Sequence, residues 1–347
     1  MVSKSFLAGM RLHGQGKWRE MMAIMGIDVS KAKLDCLWLR DPVSLKIKSK
    51  VFANSPSGYQ ALLAWAMKQT GEPVDELLCV MEATGIYHEG LAYALHEAGV
   101  RISVVNPAQL RDYAKRLGSR TKTDARDALV IARFGATQQP RQWEPEPPEV
   151  RRLKALLARL DAVKQDIQRE LNRLEKAQIT AISAEVVTSI ETVHRQLNEE
   201  KTRLETLIDE HIDQHPCLKQ DRALLESIPG VGSVISQQMV ALLRSRGFVS
   251  AAQCAAFLGL VPVQHESGSS VRGRPHLSKA GNASLRAKLY MAAIVATRYN
   301  PDIRCQYERL LQNGKSKMSA LGAAMRKLVQ ICFGVLKHQT TYLPQAV

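Results

Sequence analysis

The sequence predicts an α/β unit built on a mixed sheet, then a long helical hairpin and a mostly helical, basic C-terminal part. Three observations carry that reading. Short apolar runs change to helical spacing after Asn54, a proline-rich break separates Gln138 from Glu149, and apolar residues then recur at three- and four-residue steps. At 347 residues the chain is also too long for a single ordinary core.

Along the first half, AIMGID after Met22 is a buried strand and KLDCLWLR a second. SLKIKSKVFAN is a third that alternates apolar with polar residues and so predicts one wet face. Three adjacent antiparallel strands follow. Pro56 to Thr70 has helical spacing, LLCVMEATG is a short buried strand, HEGLAYALHEAG is a helix closed by glycine, and RISVVNP is another buried strand. Crossover helices join the later strands, so the first and fourth strands are expected as central neighbours.

Prolines in TQQPRQWEPEPPE oppose both helix and strand and mark a linker. Beyond it Leu153, Leu157, Leu160, Val163, Ile167, Leu171 and Leu174 form an apolar seam. Ile182, Val186, Ile190, Val193 and Leu197 resume it, before Leu204, Leu207 and Ile212. A helical hairpin or coiled coil with a charged exterior results, a spacer or dimerisation arm. From Pro216 the chain is helical again with two glycine-rich interruptions. The expected organisation is 1–21 as an N-terminal extension, 22–137 as the α/β unit, 138–149 as linker, 150–214 as hairpin and 215–343 as the basic C-terminal unit. The extension lacks periodicity, so it is expected to be disordered or to reflect start-codon choice among Met21, Met22 and Met25.

Composition narrows the function. No run reaches the roughly 18 uninterrupted apolar residues of a membrane helix, and the N-terminus lacks a signal-peptide pattern, so a cytoplasmic protein near the nucleoid is expected. The six cysteines are scattered without a C-x-x-C pair, which fits reduced thiols better than disulfides or zinc. The net charge is +15, and from Pro216 onward 17 Lys and Arg stand against 5 Asp and Glu. Such a concentration points to a polyanion, with nucleic acid the first partner to test; a plain basic surface is the alternative.

Four acids carry the chemistry. Asp28 ends one strand, Glu82 ends another, and Asp124 and Asp127 stand three apart at the start of a helix in KTDARDALVIAR. Singly, Asp28 reads as a turn residue, Asp124 as an N-cap and Asp127 as a first-turn acid. Together they can converge above the strand ends. Convergent carboxylates repel unless cations neutralise them, and oxygen ligands select Mg²⁺ or Mn²⁺; two such ions suit phosphodiester displacement. Nearby Arg116, Arg120 and Lys122 would draw a phosphate backbone toward them, or simply solvate a helix face.

SIPGVG, with Gly230 and Gly232, lies between apolar helical stretches like a helix-hairpin-helix, whose amides can hold a phosphate; a plain packing turn is the other reading. In HESGSSVRGRPHLSKAG, Ser267, Ser269 and Ser270 are expected in a flexible turn followed by Arg272, Arg274, His276 and Lys279, with Arg286 beyond. The turn supplies cations for a phosphodiester but no base for a serine, so the residues alone leave nucleophile and ordinary loop both open.

GIDVSK, MEATGIY, NPAQLRDYAK, KTDARDA, SIPGVG and AAFLGLVPVQHESGSSVRGRPHLSKAGNASLRAKLYMAA occur in order. Together they resemble the DEDD transposases of the IS110 group, relatives of the Piv-type DNA invertases. The resemblance implies a RuvC-like (RNase-H-like) N-terminal domain with its tetrad on Asp28, Glu82, Asp124 and Asp127, and a C-terminal transposase domain with its nucleophilic serine on Ser267. It also implies strand exchange between element ends and target DNA through phosphoserine and Holliday-junction intermediates. In part of the group a structured non-coding RNA specifies both DNAs by pairing. A metal site from another subunit would supply the activation missing from the serine turn, and a dimer or tetramer follows. The rival readings are a junction-resolvase-like nuclease using water, and a DNA- or RNA-binding scaffold without catalysis.

Overall fold

The computed structural model describes residues 23–42, 44–118, 124–180, 183–264, 266–267, 271–272 and 276–345. The extension read at 1–21 lies outside them. The chain divides into two compact units, residues 1–145 and 146–347.

The first unit is a five-stranded sheet in the order β3-β2-β1-β4-β5, formed by β1 (Ala23–Val29), β2 (Lys33–Asp41), β3 (Lys46–Ala53), β4 (Leu77–Glu82) and β5 (Arg101–Val105). β1 pairs antiparallel with β2 and parallel with β4, so the first and fourth strands are neighbours as the run order predicts. Strand alternation gives each residue parity a face. Met25, Ile27, Cys79 and Met81 pack under α1 (Pro56–Thr70) and α2 (Glu89–Glu97), whereas Ile24, Leu37, Leu39, Leu78 and Val80 pack under α3 (Pro107–Arg116) and α4 (Asp124–Gln138).

Local chemistry starts and stops these helices. Ser55 Oγ accepts from Gly58 N, with Pro56 in the first turn, and Gly71 closes α1 in the left-handed region; Asn106 and Pro107 open α3 in the same way. The third strand differs from expectation. Both its faces are wet except at Phe52, and Ile47 and Val51 are 44% and 56% exposed, because β3 is the sheet edge. The proline-rich segment has neither helix nor strand only over 139–147, since Gln138 still belongs to α4 and Pro148 and Glu149 already open the next helix, yet it is anchored. Trp143 N donates to Ile102 O at 2.6 Å, and the indole stands edge-on to Tyr93 with ring centroids 5.2 Å apart.

The second unit begins with the apolar seam of three- and four-residue steps as two long helices, α5 (Pro148–Ile179) and α6 (Ala184–Asp213). Their outer halves expose Leu171, Ile179, Val186 and Val193. Val150, Leu153, Leu157, Leu160, Leu204 and Ile208 instead share one core with the helices that follow: α7 (Pro216–Glu226), α8 (Ser233–Ser245), α9 (Ala251–Phe257), α10 (Ala283–Tyr299), α11 (Pro301–Gln312) and α12 (Lys317–His338). α12 is long and apolar enough by composition to cross a membrane, but half of that stretch is buried in this core.

Between α9 and α10 lies a narrow ribbon of two antiparallel pairings: β6 (Pro262–Val263) with β9 (His276–Leu277), and β7 (Glu266–Ser267) with β8 (Val271–Arg272). Two glycines lock its base. A Cβ on Gly259 would meet Ala280 O at 2.4 Å and one on Gly281 would meet Phe257 O at 2.3 Å, and both residues have positive φ.

Candidate active site

Asp28 and Glu82 end adjacent parallel strands. The register pairs Gly26 with Val80 and Ile27 with Met81, so the two acids are the next pair along, on the face covered by α4. Both are half-buried. What brings α4 over them is the absence of a side chain at Gly26, where a Cβ would stand 2.2 Å from Ala128 O and 2.5 Å from Ala132 N. Further down α4, a Cβ on Gly135 would meet Val80 and Ile24, so the helix runs antiparallel to β1 and its first turn comes over the strand end that carries Asp28.

That first turn starts at Asp124 and includes the half-buried Asp127. The side chain of Asp124 lies outside the described residues. Among the described residues no three His, Cys, Asp or Glu side chains are grouped closely enough to hold a metal ion. The donors placed at this end of the sheet are nonetheless all carboxylates, the chemistry that suits a hard divalent cation rather than zinc.

A further acid was not singled out from the sequence. Asp35 is the direct cross-strand partner of Asp28, on the same face as Leu37 and Leu39, and its carboxylate lies 3.1 Å from Lys33 Nζ. A row of three acids thus crosses β2, β1 and β4, and Asp35 in it is paired with Lys33. The alternation in KLDCLWLR was the available signal. After Glu82 the chain turns through Gly85 to His88, whose pKa is lowered chiefly by burial, against the opposing pull of Glu89 and of the turn backbone at Gly85 and Thr84.

The cations fall into different situations. Arg116 is exposed on the last turn of α3; Arg120 and Lys122 lie outside the described residues. Lys279 is exposed, with a left-handed backbone at φ 55°. Arg286 is half-buried and its Nη1 donates to Ala280 O at 2.5 Å and to Leu258 O at 3.4 Å, bracing the ribbon base. For Arg272 only the backbone is described, in β8, and Arg274 lies outside.

Gly230 is packed against α10, where a Cβ would meet Ala296 Cβ at 2.8 Å, whereas Gly232 caps α8 with nothing within 4 Å. Beside that helix start is a polar hollow lined by Asp161, Glu205 and Asp209 as well as Lys164 and Lys288. Its charge is mixed. Lys288 Nζ pairs with Asp161 at 2.6 Å and Lys164 with Glu205 at 2.9 Å.

Ser267 is not in a turn of the expected kind. It sits on β7, opposite Val271, with Glu266 opposite Arg272; short strand pairing extends the backbone there. Its side chain, Ser269 and Ser270 lie outside the described residues.

An α/β unit with acids at its parallel strand ends is followed by a unit whose sequence is basic, and the comparisons show which family has this build. A model of DEDD transposases of the IS110 type, described as a transposase, matches residues 25–182, and one described as the transposase IS116/IS110/IS902 family matches residues 222–308. The chain is 31% identical over 321 residues to the pilin gene-inverting protein of Moraxella bovis, covering 92% of this chain and 97% of that one. The corresponding protein of Moraxella lacunata matches at the same 31% over 321 residues. An uncharacterized 43.6 kDa protein of insertion element IS110 from Streptomyces coelicolor is 28% identical over 158 residues, 45% of this chain and 38% of that one. The chain belongs to this family of transposases and is a DNA recombinase.

Proposed function

We propose that the chain is an insertion-sequence recombinase that exchanges DNA strands through a phosphoserine on Ser267, assisted by Mg²⁺ or Mn²⁺ at an RNase-H-like site of Asp28, Glu82, Asp124 and Asp127. The observation that carries it is the approach of α4 to β1 over Gly26, which brings the Asp124–Asp127 turn above the strand end of Asp28, beside Glu82. Bound cations would supply charge compensation for the attacking and leaving oxygens. The residues do the rest. Ser267 Oγ attacks phosphorus, the bond to the leaving strand breaks, and the serine proton ends on that strand's hydroxyl. Because the phosphoester is retained on the protein, the reverse attack by a new hydroxyl reseals DNA without an outside energy source.

The C-terminal excess of cations supports a polyanion partner: DNA at element ends and target, held at the nucleoid, and a structured non-coding RNA specifying both by pairing. Strand exchange cuts strands in pairs, which supports a dimer or tetramer with the serine and the carboxylates drawn from different subunits.

The test is covalency. Protein, Mg²⁺, RNA from the element's flank and a nicked substrate that lets one strand diffuse away should leave a denaturation-resistant adduct that peptide mapping places on Ser267, absent in Ser267→Ala. Nicked DNA without an adduct would mean water is the nucleophile and the protein a junction nuclease; binding with no cleavage would mean a scaffold.

A further inference from the structure

The carboxylates stand on two strand exits, and one side chain ties those exits together. Asn54, just after β3, donates from Nδ2 to Ser30 O at 2.8 Å and to Tyr87 O at 3.1 Å. Ser30 lies two residues beyond Asp28, and Tyr87 five beyond Glu82. Both turns are closed on themselves. Ser30 Oγ donates to Lys33 O at 2.9 Å, and Tyr87 N donates to Thr84 O at 3.2 Å. Asn54 N also donates to Ala32 O at 2.9 Å, so main chain and side chain grip the β1 exit together.

The amide is itself held. Tyr59 OH, on the first turn of α1, donates to Asn54 Oδ1 at 2.6 Å, which orients the amide so that its NH₂ faces the two carbonyls. A phenol is protonated at neutral pH in any case, and burial raises the pKa of this one further, so the hydroxyl is available as a donor. Space for it comes from Gly90 on α2, where a Cβ would stand 2.9 Å from the Tyr59 oxygen. The first turns of α1 and α2 and both strand exits therefore meet at one amide.

The geometry points to Asn54 as a positioning residue that sets the spacing of the Asp28 and Glu82 carboxylates, with Tyr59 fixing its orientation. The inference rests on the metal-site reading above. A core contact would serve stability alone. This one joins the two backbones that carry the paired acids, so loosening it should change how those acids share a cation. Asn54→Asp is the sharp variant. It keeps the shape and turns two donors into acceptors facing carbonyl oxygens, an arrangement that pushes the exits apart.

The experiment measures strand exchange against Mg²⁺ concentration, together with hydrogen exchange of the amides in residues 30–33 and 84–88 without metal. Asn54→Asp should raise the half-saturating Mg²⁺ about tenfold, as loss of a partner that orients metal ligands does, with DNA affinity unchanged. Exchange should quicken in both turns at once. Tyr59→Phe, which loses one hydrogen bond, should move both readouts the same way by a smaller factor and keeps the test readable if Asn54→Asp does not fold. A lower melting temperature with unchanged metal dependence, or faster exchange in only one turn, would overturn the proposal. Asp28→Ala separates the two ideas. If it retains strand exchange, the metal-site reading fails; if it is inactive while the Asn54 and Tyr59 variants match wild type, only the clamp fails.

Discussion

Gly26 and Ala128 approach so closely that a Cβ on the former would lie 2.2 Å from the carbonyl oxygen of the latter. Gly26→Ala should therefore force α4 away from β1 and destabilise the protein by about 3 kcal/mol, the upper range for overpacking. A glycine in open surroundings is the control. Gly334 on α12 has nothing within 4 Å, and Gly334→Ala should stabilise by about 0.5–1 kcal/mol through helix propensity. Denaturant midpoints decide it; equal effects at the two sites would show that the approach is not tight.

Asp28→Ala and Glu82→Ala should each abolish recombination and leave DNA affinity within about twofold, since acids that serve the chemical step contribute little to phosphate binding. Filter binding beside a plasmid recombination assay checks this. Wild-type turnover by either variant would remove these two acids from the site.

Lys279 and Arg286 should separate charge from architecture. Because Lys279 already has a left-handed backbone, Lys279→Gly deletes a cation without strain, and the salt dependence of DNA binding should flatten by about one unit of slope with the melting temperature unchanged or higher. Arg286→Ala should lower the melting temperature instead, because two carbonyls at the ribbon base lose their donor. An unchanged slope in Lys279→Gly would remove that lysine from the interface.

Asp221 is fully buried, its carboxylate held by Arg244 Nε at 2.5 Å and Nη2 at 2.8 Å and by Gln339 Nε2 at 3.1 Å. Arg244→Met would strand a buried charge and should cost about 3 kcal/mol or more, whereas the double variant Asp221→Leu with Arg244→Met should recover much of it. Urea unfolding of wild type, Asp221→Leu, Arg244→Met and the double variant gives the comparison. An additive double variant would mean the pair is not coupled.

Thiol reactivity should be bimodal. Burial pushes Cys79, Cys254 and Cys332 up to about 12 and Cys36 well above its ordinary value, while Cys217 and Cys305 are exposed. Iodoacetamide at neutral pH should label Cys217 and Cys305 quickly and the other four only after unfolding. Mass mapping of a timed reaction reads it directly.

Much of the first unit was legible because its signals are local: alternating runs made strands, glycine and proline ended helices, and crossover logic made β1 and β4 neighbours. Asp35 was missed because its placement depends on register across a hairpin, which pairs it with Asp28 only once the turn at Ser30–Lys33 is known. The ribbon bearing Ser267 was hidden for another reason. Strands of two residues among serines and glycines have no period to detect, and their support comes from Gly259 and Gly281 meeting distant backbone. The sharing of one core by the hairpin and the later helices is likewise a long-range fact. The apolar seam is visible in the sequence; the element it packs against is not.

β3 leaves the sheet with a border that refuses company. Lys46, Lys48 and Lys50 alternate along the outermost strand, Lys48 reaching Gln69 on α1 and Lys50 lying over the Phe52 ring at 5.2 Å. An approaching strand would have to strip water from three ammonium groups before gaining any ladder bond. The dimer or tetramer proposed above is therefore not expected to form by strand addition along β3.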